Sequence, residues 1–98
     1  MKKTLVQFTF PNMSSETYDK IWEEIRSLGH EHPKGLLWHA GAQQGSNWVV
    51  ADVWESAEAF SKFGEVLAPL FEKYGLSKTQ PTVLPIHYLY VNEGATVH

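Results

Sequence analysis

His39 and Asp52 are the residues whose types and spacing point most directly to chemistry in this chain. A carboxylate held beside an imidazole orients the ring. Such a pair can take a proton from an acidic phenol or from a carbon next to a carbonyl. A second reading has equal weight: a hydrogen bond that satisfies two polar groups in a half-buried sheet. Trp54 also has two readings, as a platform for an aromatic ligand and as filling in an interface between subunits. Gln7 and Leu37 complete the candidate site, Gln7 as a polar handle and Leu37 as wall. His87, flanked by Leu89 and Val91 on one strand face, either joins that site or lies in a packed strand.

Metal chemistry finds little support. His30 and His32 lie two apart in the loop "HEHPKG", with no third ligand near in sequence, and read as solvated. His39, His87 and Asp52 have the donor types of a facial triad. The strands that carry the two histidines are expected at opposite sheet edges, about 14 Å apart, so no metal is assigned. Cysteine is absent, which removes thiolate sites, disulfides and a Cys nucleophile. Phosphate-binding Gly loops and a Ser-nucleophile motif are also missing.

The hairpin that brings His39 to Asp52 is legible. "LLWHAGAQ" and "NWVVADVW" read as strands joined at "QGSN", where Gly45-Ser46 suits a type II′ turn. That turn sets Gln44 against Asn47 and, counting back, Gly41 against Val50, His39 against Asp52 and Leu37 against Trp54. Opposed residues share a face. The other face carries Leu36, Trp38 and Ala40 with Val49, Ala51 and Val53. Being apolar and mostly small, this second set is expected beneath helices, leaving the His39–Asp52 face turned away from them.

The remaining elements follow from periodicity. "TLVQFTF" alternates, with Thr4, Val6, Phe8 and Phe10 on one side. Ser14 is an N-cap for a helix carrying Tyr18, Ile21, Trp22, Ile25 and Leu28, with Met13 and Tyr18 placed as a staple and Gly29 as the stop. Tyr18 and Trp22 read as core. Ser56 caps a second helix with Phe60, Phe63, Leu67, Leu70 and Tyr74 inward, expected to kink or restart at Pro69. "QPTVLPIHYLYV" reads as an edge strand, and residues 92–98 as a tail. The order strand–helix–strand–strand–helix–strand is the ferredoxin-like split βαβ plan, an α+β fold with sheet order 4-1-3-2 and both helices on one face.

Ninety-eight residues, 43% hydrophobic with four tryptophans, make one domain spanning 1–98. A net charge of −3 with interspersed signs argues against nucleic acid as a partner. The opening "MKKTLVQFTF" lacks an uninterrupted apolar stretch, and no run approaches membrane-helix length, so a cytoplasmic protein without membrane contact is expected. The uncovered sheet face would expose Leu5, Leu37, Trp48, Val50 and Trp54. A patch of that kind marks an interface, so a homodimer is expected, sheet against sheet. The two sheets would enclose a barrel-like space holding Gln7, His39 and Asp52 and open to a small apolar or aromatic ligand.

With these motifs in place the chain resembles the dimeric α/β-barrel superfamily, and within it the antibiotic biosynthesis monooxygenase-like proteins. "DVWESAEAF" is similar to that family's strand-to-helix signature, and "GLLWHAGAQQGSNWVVADVW" with "VLPIH" resembles an uncharacterised bacterial branch. The resemblance implies a monooxygenase that acts without a bound cofactor on an aromatic or polyketide-like molecule. Trp54 matches a cavity-lining tryptophan of quinone-forming and haem-degrading relatives. Gln7 falls near the first-strand Asn of the haem degraders, whose second helix also supplies a histidine to the haem. "FSKFGEVLAPLF" has none, which argues against that activity. Within the resemblance His39 is the base and Asp52 its orienter. A cyclase or isomerase using the same pair, and a non-catalytic binding or stress-related dimer, are the alternatives.

Overall fold

A computed structural model describes residues 2–92. Six elements follow in the expected order: β1 (Thr4–Phe10), α1 (Ser15–Ser27), β2 (Leu36–Gln44), β3 (Asn47–Trp54), α2 (Ala57–Lys73) and β4 (Thr82–Pro85). The sheet is antiparallel with order β2-β3-β1-β4, as the split βαβ plan requires.

Both helices start and stop where their sequences say. Ser14 Oγ accepts from the Thr17 amide at 3.4 Å, and Ser56 Oγ from the Ala59 amide at 3.1 Å. Each helix ends in a Schellman arrangement on a glycine with positive φ. At α1 the Gly29 and His30 amides donate back to Arg26 and Ile25, and at α2 those of Gly75 and Leu76 donate to Glu72 and Phe71. The hairpin turn is as read: Gln44 opposes Asn47, and Gly45 has φ +60° while Ser46 does not enter the positive region, as type II′ demands.

Three expectations need correction. First, α2 runs unbroken through Pro69. Pro69 and Glu65, whose carbonyl loses its partner, are both exposed, so the carbonyl lies on the face of the helix open to water. Second, β4 stops at Pro85, and His87, Leu89 and Val91 lie outside the sheet. The chain there turns across Leu5 and Val53 instead. Most of the segment read as a tail, residues 93–98, lies outside the described residues.

The third correction concerns the faces of the hairpin. Thr4, Val6, Phe8 and Phe10 point toward the helices, as expected. They pair with Trp54, Asp52, Val50 and Trp48, so these β3 residues share that side. Val6, Phe8, Phe10, Trp48, Val50 and Trp54 form one core with Ile21 and Ile25 of α1 and Leu70 of α2. The small residues Ala40, Val49 and Ala51 face the other way. Volume decides the outcome. Two helices packed on a sheet leave a thick space that large aromatic side chains fill to crystalline density, and alanines would leave it hollow. Thus His39, Asp52 and Trp54 lie beneath the protomer's own helices, not on the open sheet face.

Candidate functional site

The site is built on the buried half of the hairpin. His39 opposes Asp52 across β2 and β3, as the turn dictated. Leu37 does not oppose Trp54. A bulge between Leu36 and Trp38 sets Leu36 against Trp54 and turns Leu37 outward, 52% exposed. Leu36 therefore supplies the wall expected of Leu37.

Four side chains form one hydrogen-bonded line. Trp54 Nε1–H donates to Asp52 Oδ2 at 3.1 Å. The other carboxylate oxygen, Oδ1, accepts from His39 Nδ1. A carboxylate only accepts, so the proton of this contact sits on Nδ1. On the far side of the ring, His39 Nε2 meets the hydroxyl of Tyr18 from α1, which is left to donate. Burial holds the Tyr18 phenol above the ordinary tyrosine value; the Trp22 indole acts against this, and the Asp52 and Asp19 carboxylates add to it. Tyr18 is thus a protonated donor at neutral pH. Asp52 is 6% exposed and has both oxygens engaged, which is how the core tolerates a carboxylate.

The aromatic surroundings fix these groups in place. The Tyr18 and His39 rings are parallel to within 1°, with centroids 5.9 Å apart, and Trp22 stands edge-on to His39 at 5.2 Å. Trp48 lies 4.8 Å from Tyr18 at a tilt of 39°. Its indole Nε1 is buried and has no hydrogen-bond partner. Gly41 makes this packing feasible. A Cβ there would stand 3.0 Å from Tyr18 Cζ, 3.0 Å from Trp48 Cζ2 and 3.1 Å from Trp48 Nε1.

His39, Asp52, Tyr18 and Trp54 border a cavity of about 60 Å³ between helices and sheet, otherwise walled by apolar side chains such as Phe8, Phe63 and Leu67. Trp22, Leu36 and His39 also line a surface hollow with Pro33 and Trp38. Among the described residues there is no cluster of three or more His, Cys, Asp or Glu side chains that could hold a metal.

The structure thus brings His39, Asp52 and Trp54 together and separates them from the other three candidates. Gln7 opposes Ala51, on the face away from Asp52, and is exposed. Leu37 is turned out by the bulge. His87 is exposed and borders a separate hollow with Leu5, Val53 and Leu84. Tyr18 and Trp22, read as plain core, are the residues sequence reasoning missed. A phenol on the inner stripe of a helix needs a partner for its hydroxyl, and that requirement is the signal they carry.

No protein-family model matches the sequence, and no curated protein matches it either. Solved structures do. SnoaB, a cofactor-independent oxygenase from Streptomyces nogalater, superposes with a TM-score of 0.60 at 12% identity, covering 91% of this chain and 97% of its own. A monooxygenase from the gene ActVA-Orf6 of Streptomyces coelicolor, solved with the ligand nanaomycin D, gives 0.60 at 17% identity, with 93% of each chain covered. A dimeric ferredoxin-like protein from an uncultured marine organism gives 0.63 at 11%, with 94% of each covered. No helix among the described residues is long and apolar enough to cross a membrane. The chain therefore has the ferredoxin-like fold that these solved structures share.

Proposed function

We propose that this protein is a small-molecule enzyme whose site lies within one protomer, in the cavity between helices and sheet, with His39 as general base. The observation that carries this reading is the line Trp54–Asp52–His39: a buried carboxylate, itself held by an indole, fixes an imidazole that lines an apolar hollow and turns Nε2 to the Tyr18 hydroxyl. Oxygen chemistry is the favoured use, because two of the structures that share the fold are an oxygenase described as cofactor-independent and a monooxygenase with a bound ligand. In that chemistry His39 removes the hydroxyl proton of a phenol. The electron-rich ring gives an electron pair to dioxygen and forms a C–O bond. One oxygen atom stays on the ring as the second carbonyl of a quinone, and the other leaves as water. The substrate is itself the reductant, so no bound cofactor is required. Apolar walls favour an uncharged aromatic molecule and exclude bulk water.

The test is oxygen uptake with a panel of one- and two-ring phenols. The wild-type protein should consume one dioxygen per quinone formed, and His39→Gln should slow this by about 10²–10⁴-fold, the usual reach of a general base. Turnover without oxygen uptake would make the protein a cyclase or isomerase using the same base. Retained turnover in His39→Gln would end the reading.

The same proposal includes a homodimer through the open sheet face. That face carries Trp38, 55% exposed, and Leu84, 47% exposed, beside Leu5, Ala40 and Ala51. A structure of the same fold is described as dimeric. Here the sheet interface is a scaffold, and Gln7 lies in it rather than in the site.

A further inference from the structure

The base of the proposed site is not free. Its Nε2 is occupied by the hydroxyl of Tyr18. The hollow beside it, about 60 Å³, is also small. An apolar cavity of about 150 Å³ is the size that accommodates benzene. A ring therefore cannot sit in that hollow against His39 Nε2 until a side chain leaves, and three observations single out Tyr18. It stands in the first turns of α1, close to the helix start. It is half-buried, with a path to solvent, whereas Trp48 and Trp54 beside it are fully buried. It also fills the ring-shaped slot that directly adjoins Nε2, above Gly41 and against Trp48.

We propose that Tyr18 is a displaceable internal phenol, and that the slot it fills is the subsite for the phenolic ring of the substrate. The slot has the parts that a phenol needs. His39 Nε2 accepts the hydroxyl proton. Gly41 provides a floor without a side chain. Trp48 provides an aromatic wall, and its unpartnered Nε1–H, 3.1 Å from where a Gly41 Cβ would stand beside Tyr18 Cζ, is a donor free for an oxygen. An incoming phenol exchanges one O–H···N bond for an equivalent one, so displacement costs little in hydrogen bonding, whereas a ring without a hydroxyl leaves Nε2 bare. Tyr18 thereby selects for phenols: the ligand must reproduce the bond that it breaks. This inference rests on the placing of the site within the protomer, but its test needs no turnover.

The test uses p-cresol, the tyrosine side chain without its backbone, and toluene, the same ring without the hydroxyl. Binding is followed by tryptophan fluorescence and by thermal shift. Tyr18→Ala should bind p-cresol at least tenfold more tightly than wild type and gain melting temperature on adding it. Toluene should bind the same variant at least tenfold more weakly than p-cresol. The preference should disappear in the double variant Tyr18→Ala/His39→Leu, which removes the acceptor. Tyr18→Phe keeps the ring but loosens its hold, so it should bind p-cresol several-fold more tightly than wild type, which gives a second readout should Tyr18→Ala fold poorly. Equal binding of toluene and p-cresol, or unchanged or weaker binding of p-cresol to Tyr18→Phe, overturns the proposal. His39-dependent turnover could survive that result, and failed turnover would not touch a positive binding result, so the two readings fail separately.

Discussion

Gly41 lies directly under the ring of Tyr18, so close that a single added methyl would meet the phenol Cζ at 3.0 Å. One position on a strand thus governs whether a side chain on the first helix can reach the imidazole two residues earlier on the same strand.

Gly41→Ala should therefore push Tyr18 off His39. Trp48 cannot retreat, being 6% exposed in the core, whereas Tyr18 can swing outward. Overpacking of this kind costs about 1–3 kcal/mol. The expected outcome is a modest fall in urea midpoint with a changed Trp48 emission, and Gly41→Val should exaggerate both. An unaltered emission spectrum in Gly41→Val would contradict the packing described.

Asp52→Ala orphans two buried donors, His39 Nδ1–H and Trp54 Nε1–H. Each unsatisfied donor costs about 1–3 kcal/mol. Trp54→Phe removes one of these donors, so Asp52→Ala should cost less in that background. A double-mutant cycle in denaturant should return a coupling of about 0.5–3 kcal/mol between the two positions. Additive losses would mean the 3.1 Å contact contributes nothing.

A second tie joins the helices on the outer side. Glu24 of α1 accepts from Lys73 Nζ at 2.7 Å and from the Tyr74 hydroxyl at the end of α2. The Lys73 hydrogen bond, then that of Tyr74, holds the Glu24 carboxyl below its ordinary value of 4.5. Hydrogen bonding to Glu24 raises Lys73 above 10.5. A depressed carboxyl contributes stability that is present above its unfolded value and lost as pH falls through the folded one. A raised ammonium contributes stability that is present below its unfolded value and lost as pH rises through the folded one. The clamp is therefore complete between roughly pH 5 and 10. Glu24→Gln should lower the melting temperature slightly across that window, and its curve should meet the wild-type curve below it. A gap that persists at pH 2 would refute the assignment.

Trp38→Glu should leave the fold intact and yield a monomer by light scattering, since Trp38 projects from the open sheet face and touches none of the core. A wild-type mass of one chain would remove the sheet interface from the proposal.

Element order, caps, the type II′ turn and the His39–Asp52 pairing were all readable, because each depends on residues close in sequence. The facing of the hairpin was not. It depends on β1 pairing with β3, Val6 with Asp52 and Phe8 with Val50, across a gap of more than forty residues that no turn fixes. Polar character was a misleading guide: the acid–imidazole pair looked unfit for a core until Tyr18 and Trp54 supplied its partners. The bulge at Leu37 escaped notice because nothing in "GLLWHAG" signals an extra residue, and this misassigned Leu37 in place of Leu36. Gln7 was grouped with His39 through the same error of facing, and His87 lies apart because β4 ends before it, at Pro85.

That extra residue at Leu37 marks the place where the pairing register of the hairpin changes. Beyond it, toward the turn, every position is locked by pairing. Before it, residues 29–34 line two surface hollows, one of them shared with Trp22, Leu36 and His39. Insertions or deletions in this stretch would be absorbed ahead of the bulge and leave His39 opposed to Asp52.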